Sequence, residues 1–212
     1  QNGLEAPGQL AAVLGAEHVL GGLARVFSYI VEPGHIRHIG EIALMAFGEL
    51  DNRPTQRIED LCQAFNRSGF TAEIPPDIHV ALWEKFLGVV SVGGMGAITR
   101  APFGVLRSLP ETRRMLEQGM QEIFTLALAR DIPLKEEVIA QTMTFVDNLP
   151  PNASSSLQRD ILAGRPSELE AWNGAVVRLG KQAGVATPLH AFIYHSLLPL
   201  ESQARGQIHF PT

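Results

Sequence analysis

Two hydrophobic periodicities follow one another along the chain. Between residues 16 and 49 apolar positions come in short runs or alternate with polar ones, as β-strands require. Val19–Ala24 and Val26–Val31 are two such runs, and Glu32-Pro33-Gly34-His35 makes a turn. His35–Gly40 then alternates as a half-buried strand does, and Ile42–Gly48 is a further apolar run. The stretch reads as a small antiparallel set of strands. Upstream, Leu4–Leu14 has a short amphipathic helical pattern that Gly15 is placed to end.

From Pro54 the period becomes helical. Ile58, Leu61, Cys62 and Phe65 mark a helix over 55–68, with Gly69 as its stop. Phe70–Ile74 fits one short strand before Pro75-Pro76. Asp77 can cap a helix that carries Val80, Leu82, Trp83, Phe86 and Leu87 and continues into Val89–Val92. Gly93, Gly94 and Gly96 weaken that helix, since an interior glycine costs about 1 kcal/mol against alanine. The longest helical signal is Glu111–Arg130, with Leu116, Met120, Ile123, Phe124 and Ala127 on one stripe. Lys135–Asp147 is another, stopped by Pro150-Pro151. Ser167-Glu168-Leu169-Glu170 has the form of a capping box opening a helix that Gly184 ends. Thr187-Pro188 opens the last helix, through Tyr194 to about Leu198. The pattern therefore predicts a mainly α chain: a strand-rich segment over 1–53, a helical domain over 54–205 and a loose tail over 206–212.

Composition narrows the class. With 212 residues, 45% hydrophobic and 18% charged, the chain can bury a sizeable core. A net charge of −5 without a basic stripe argues against a nucleic-acid partner. Cys62 is the only cysteine, which excludes an internal disulfide or a multi-thiolate zinc site, and its place among apolar positions reads as a small buried hydrophobe. The histidines are dispersed without a His-x-x-x-His pair, so no metal is expected. No run approaches the roughly 18 apolar residues that span a membrane, and no leader pattern occurs. The expected location is the cytoplasm. Gln1-Asn2-Gly3 is no initiator and reads as a turn between two elements. The expectation is a chain that begins within a longer protein, its strands continuing a sheet begun upstream.

Three places could carry chemistry. Lys85 sits in the apolar stretch Trp83-Glu84-Lys85-Phe86. It is either a lysine whose stem packs while its head reaches water, or a partly desolvated proton donor of the kind a carbonyl reduction needs. Asn152–Glu170 is either a serine-rich loop with a helix cap, or a set of hydroxyls and the Glu168 carboxylate facing one polar pocket. A helix N-terminus there would favour the ionised form of Glu168. The Gly93–Gly96 cluster imitates a phosphate loop, but it follows a helical pattern and lacks G-x-G-x-x-G spacing. Close helix packing accounts for it better.

Several motifs in order then carry a resemblance. Trp83-Glu84-Lys85 is followed by Gly96–Arg100, Ser155–Asp160, Gly164–Glu170, Asn173-Gly174 and Gly184–Pro188. Together these resemble the helical domain of the ketopantoate reductases. Gln1-Asn2-Gly3 is similar to the motif that ends a nucleotide-binding strand in that family, and Val31–Gly34 with His38–Gly40 to its edge hairpin. The likeness runs from Gln1 to about Glu201. It implies a helical domain of the 6-phosphogluconate dehydrogenase C-terminal-like type, preceded by the remnant of a Rossmann α/β domain. It also implies NADPH-dependent reduction of 2-dehydropantoate to pantoate, a step towards coenzyme A.

Carried over by residue, Lys85 matches the general acid that protonates the ketone oxygen. Glu168 matches the glutamate that holds the substrate hydroxyl and supports the lysine. Ser156 matches the substrate-binding serine counting back from Glu168, and Ser155 fits if counting starts at Asn152. Asn2 matches an asparagine near both nicotinamide and substrate.

Two departures bear on function. Asparagines expected one and two turns after the lysine are Val89 and Gly93 here, which opens the reading to a related dehydrogenase with a less polar substrate. The G-x-G-x-x-G turn is missing, so this chain alone is expected to be inactive. A rival of another class is a helical dimerisation module without chemistry, and a homodimer is one arrangement that the reading leaves open.

Overall fold

A computed structural model describes residues 2–211, with the side chains of Glu41 and Ile42 outside the description. Gln1 of the expected N-terminal motif and Thr212 of the expected tail fall outside the described residues. The chain divides into two compact units. One comprises Glu5–Leu82; the other joins Asn2–Leu4 to everything from Trp83 onward.

In the first unit, α1 (Ala6–Leu14) ends where Gly15 takes a φ of 90°. Strands β1 (Leu20–Glu32) and β2 (His35–Glu49) form one long antiparallel hairpin, from Leu20 opposite Glu49 to Glu32 opposite His35. The apolar runs expected as separate strands are thus merged in pairs. Their separation in sequence has a physical cause: Val26 pairs with Ala43 and Phe27 with Ile39, so residues 40–42 bulge outward. Gly40 supplies the positive φ (77°) that the bulge requires.

A short strand, β3 (Thr71–Glu73), pairs with β2 in parallel, so the sheet is mixed rather than antiparallel. Between them runs α2 (Gln56–Arg67), which buries Ile58 against Phe47 and Ala72 with Leu61, Cys62 and Phe65 alongside. Cys62, expected to be buried, is only half-buried at the edge of this cluster, and donates from Sγ to the Ala72 carbonyl at 3.4 Å. Residues 54–82, expected with the helical domain, therefore pack with the strands as a strand–helix–strand crossover. The expected division after residue 53 falls inside a compact unit.

The second unit holds most of α3 (Ile78–Thr99). Its start is capped as expected, Asp77 Oδ1 accepting the His79 and Val80 N–H groups at 2.8 and 3.2 Å. It runs unbroken through the glycines. By length and composition it could cross a membrane, but 67% of that window is buried inside the protein. Two short helices escaped the sequence pattern, α4 (Phe103–Ser108) and α7 (Ser156–Leu162). α5 (Pro110–Leu128) buries Leu116, Met120, Ile123, Phe124 and Ala127, the expected stripe. α6 (Val138–Asn148) follows, then α8 (Ala175–Ala183) and α9 (Pro188–Ala204). α9 continues past Pro199, about a turn and a half beyond its expected end.

Candidate active site

α3 carries Lys85, which lies in sequence between the buried Trp83 and Phe86 and is itself half-buried. The Lys85 ammonium donates from Nζ to Asn2 Oδ1 at 2.8 Å. The same Asn2 amide donates from Nδ2 to Glu168 Oε2 at 3.3 Å. An amide presents one acceptor and two donors, so it can lie between a cation and a carboxylate and satisfy both. Gly3 is buried, and a Cβ on it would lie 3.3 Å from the Ala171 carbonyl oxygen. That close approach keeps the N-terminal segment beside the Glu168 turn.

Glu168 stands in a bend rather than on a helix. After it, Glu170–Gly174 forms a π turn in which Gly174 N–H donates to the Leu169 carbonyl at 3.0 Å, and only then does α8 begin. The expected capping box is only half realised. Ser167 Oγ accepts the Leu169 N–H at 3.2 Å, but Glu170 does not reach back. It turns to Arg178 and accepts the Tyr194 hydroxyl at 2.6 Å, a bond that pushes the phenol up to about 12. The Ser167 N–H goes instead to Glu201 of α9.

The serines divide. Ser155 is the N-cap of α7, its Oγ accepting the Gln158 N–H at 3.0 Å. It also borders α3, since a Cβ on Gly93 would lie 3.4 Å from this Oγ. Ser156, half-buried in the first turn of α7, is not hydrogen-bonded to Lys85, Asn2 or Glu168. Val89 and Gly93 follow Lys85 by one and two turns and share its face of α3. The space that a side chain at 93 would take is filled by Trp172, whose Cζ3 would lie 2.6 Å from a Cβ there. Trp172 was invisible as a site residue from sequence; its one signal is its place one turn after Glu168. Gly94 and Gly96 likewise lie under Asn173 and Gln158, so the cluster packs side chains and cradles no phosphate. No group of three or more metal-ligating side chains occurs among the described residues.

The same architecture is found in solved structures. D-mandelate dehydrogenase, solved with NADH and anilino(oxo)acetate, superposes with a TM-score of 0.87 at 22% identity, over 96% of this chain and 67% of that one, a likeness of fold alone. The chain belongs to the ketopantoate reductase family. The family model "Ketopantoate reductase PanE/ApbA C terminal" matches residues 77–201, and "Ketopantoate reductase PanE/ApbA" matches 1–52. The 2-dehydropantoate 2-reductase of Nostoc is 28% identical, over 98% of this chain and 66% of that protein. The PanE/ApbA family ketopantoate reductase of Ralstonia eutropha superposes with a TM-score of 0.86 at 26% identity, over 97% and 66%. The chain spans about two thirds or less of the length of the curated relatives it matches.

Proposed function

We propose that this chain is the substrate-holding part of an NADPH-dependent reductase that converts a 2-keto acid, 2-dehydropantoate in the first instance, to the 2-hydroxy acid. The observation that carries the reading is the Lys85–Asn2–Glu168 chain of hydrogen bonds, which draws together groups far apart in sequence. A lysine bonded in this way favours the enzyme over a bare dimerisation module, for which its head would point to bulk water.

NADPH, when bound, supplies the hydride for the keto carbon. Lys85 Nζ gives its proton to the keto oxygen as the negative charge develops there, leaving a 2-hydroxy acid and NADP+, and regains a proton from solvent. Asn2 holds the ammonium in place and is the residue of this chain proposed to face the nicotinamide. Glu168 accepts the substrate hydroxyl and balances the lysine charge. Ser156, or Ser155 at its cap, would meet the carboxylate end. The phosphates of the cofactor find no cradle in the glycines of α3, which are filled by side chains. The setting proposed is the cytoplasm.

A second reading concerns the substrate. Val89 and the Trp172 indole over Gly93 line the lysine face of α3 with apolar surface, and this favours a 2-keto acid lacking the hydroxyl. Following NADPH absorbance with the whole protein decides between the two. The first reading expects 2-dehydropantoate to exceed 3-methyl-2-oxobutanoate, which lacks the hydroxymethyl group, by at least about tenfold in kcat/KM. The reverse order would establish the second reading, and no reduction of either keto acid would overturn both.

A further inference from the structure

Glu168 has no helix of its own to hold it, yet the residue before it is held at every polar atom. Glu201, on α9, is only 3% exposed. Its carboxylate accepts the Ser167 N–H at 3.1 Å on each oxygen and the Ser167 hydroxyl at 2.5 Å. Arg205, one turn on, donates from Nε to Glu201 at 2.7 Å and from Nη2 to the Ser167 carbonyl at 2.9 Å. The Ser167 hydroxyl in turn accepts the N–H of Leu169, the residue after Glu168. A carboxylate this buried is costly unless it is fully bonded. Here its bonds run to one residue of the bend and to the arginine that shares the task.

The geometry points to Glu201 and Arg205 as positioning residues for Glu168. They lock the peptide units on either side of Ser167, so that the next side chain is delivered to Asn2 and Lys85 in one orientation. The adjoining π turn, which cannot supply the regular N-terminal turn of an α-helix, makes such an external clamp necessary. The inference rests on the reading of Glu168 as the carboxylate that meets the substrate. Its signature is an effect that passes through Glu168.

The test is a double-mutant cycle in the whole protein, assayed with NADPH and whichever of the two 2-keto acids above it reduces faster. Glu168→Gln lowers kcat/KM if the functional reading holds. Glu201→Gln is expected to lower it on the order of 10–100-fold, the scale of a small misplacement in a site. In the Glu168→Gln background the same change should add less than about threefold, because coupled residues are non-additive. If Glu201→Gln fails to fold, Arg205→Ala serves, its side chain being 43% exposed. It is expected to cost about tenfold and to show the same non-additivity. A loss that multiplies fully with that of Glu168→Gln, or no loss in either clamp variant, overturns the clamp alone. An unchanged kcat/KM in Glu168→Gln overturns the functional reading beneath it, and an inactive parent protein overturns both.

Discussion

Glu122 ties α5 to the start of α9. His190 is fully buried, and its Nδ1 lies 2.7 Å from Glu122 Oε2. The same carboxylate accepts the N–H groups of Leu189 and His190 at 2.7 and 3.1 Å, serving as the cap that Thr187 does not provide. Burial pushes the Glu122 carboxyl up, but the bonds from His190 and the two amides outweigh it and hold the group below its ordinary 4.5. With the folded value below the unfolded one, the stabilisation is fully present above about pH 4.5 and is lost as pH falls through the folded value. Glu122→Ala should cost roughly 3 kcal/mol at neutral pH in urea unfolding. The gap to wild type should narrow below about pH 4; a gap constant down to pH 3 would contradict the assignment.

At this scale the sequence was legible only in part. Lys85 stood out as a cation in an apolar helix. Asn2 and Glu168 lie 83 and 166 residues from their partners in the hydrogen-bond chain, so no local pattern could join them. Asn2 came from the family resemblance alone, whereas Glu168 was also a candidate as a carboxylate beside a serine-rich loop, though nothing local named its partner. Glu201 showed only its i,i+4 spacing to Arg205, because its other partner, Ser167, lies 34 residues away on a distant bend.

Among the elements, the glycines of α3 are the clearest test of packing against propensity. Gly93→Ala gains about 1 kcal/mol of helix propensity, but its Cβ would sit 2.6 Å from the Trp172 ring, and overpacking of this kind costs about 1–3 kcal/mol. The clash should win, lowering the Tm. Gly8→Ala in α1 meets nothing within 4 Å and should raise it slightly. Thermal unfolding of both variants checks the contrast; equal shifts of the same sign would contradict it.

Long helices such as α5 were legible because a stripe repeats over several turns. α4 and α7 span six and seven residues, too few for a period to declare itself. The strand boundaries misled for a different reason. A bulge interrupts alternation without ending a strand, and a parallel third strand announces itself in no local signal.

For the whole molecule, the helical class and the family were legible, while the extent of each compact unit was not. The change of period at Pro54 marks a helix of the strand-bearing unit rather than a border between units. The 212 residues contain no G-x-G-x-x-G turn, and the glycines of α3 are occupied by packing. Titrating NADPH into this chain should therefore give no saturable binding in the micromolar range by calorimetry; tight binding would mean that the cofactor is held elsewhere than proposed. The central claim, that Lys85 delivers the proton, is tested most directly in the whole protein by replacing it. Lys85→Ala should lower kcat for the keto acid by about 10²–10⁴ with Tm little changed, the usual worth of a positioned general acid. A kcat within about threefold of wild type, with a lowered Tm, would show a lysine that only packs its stem.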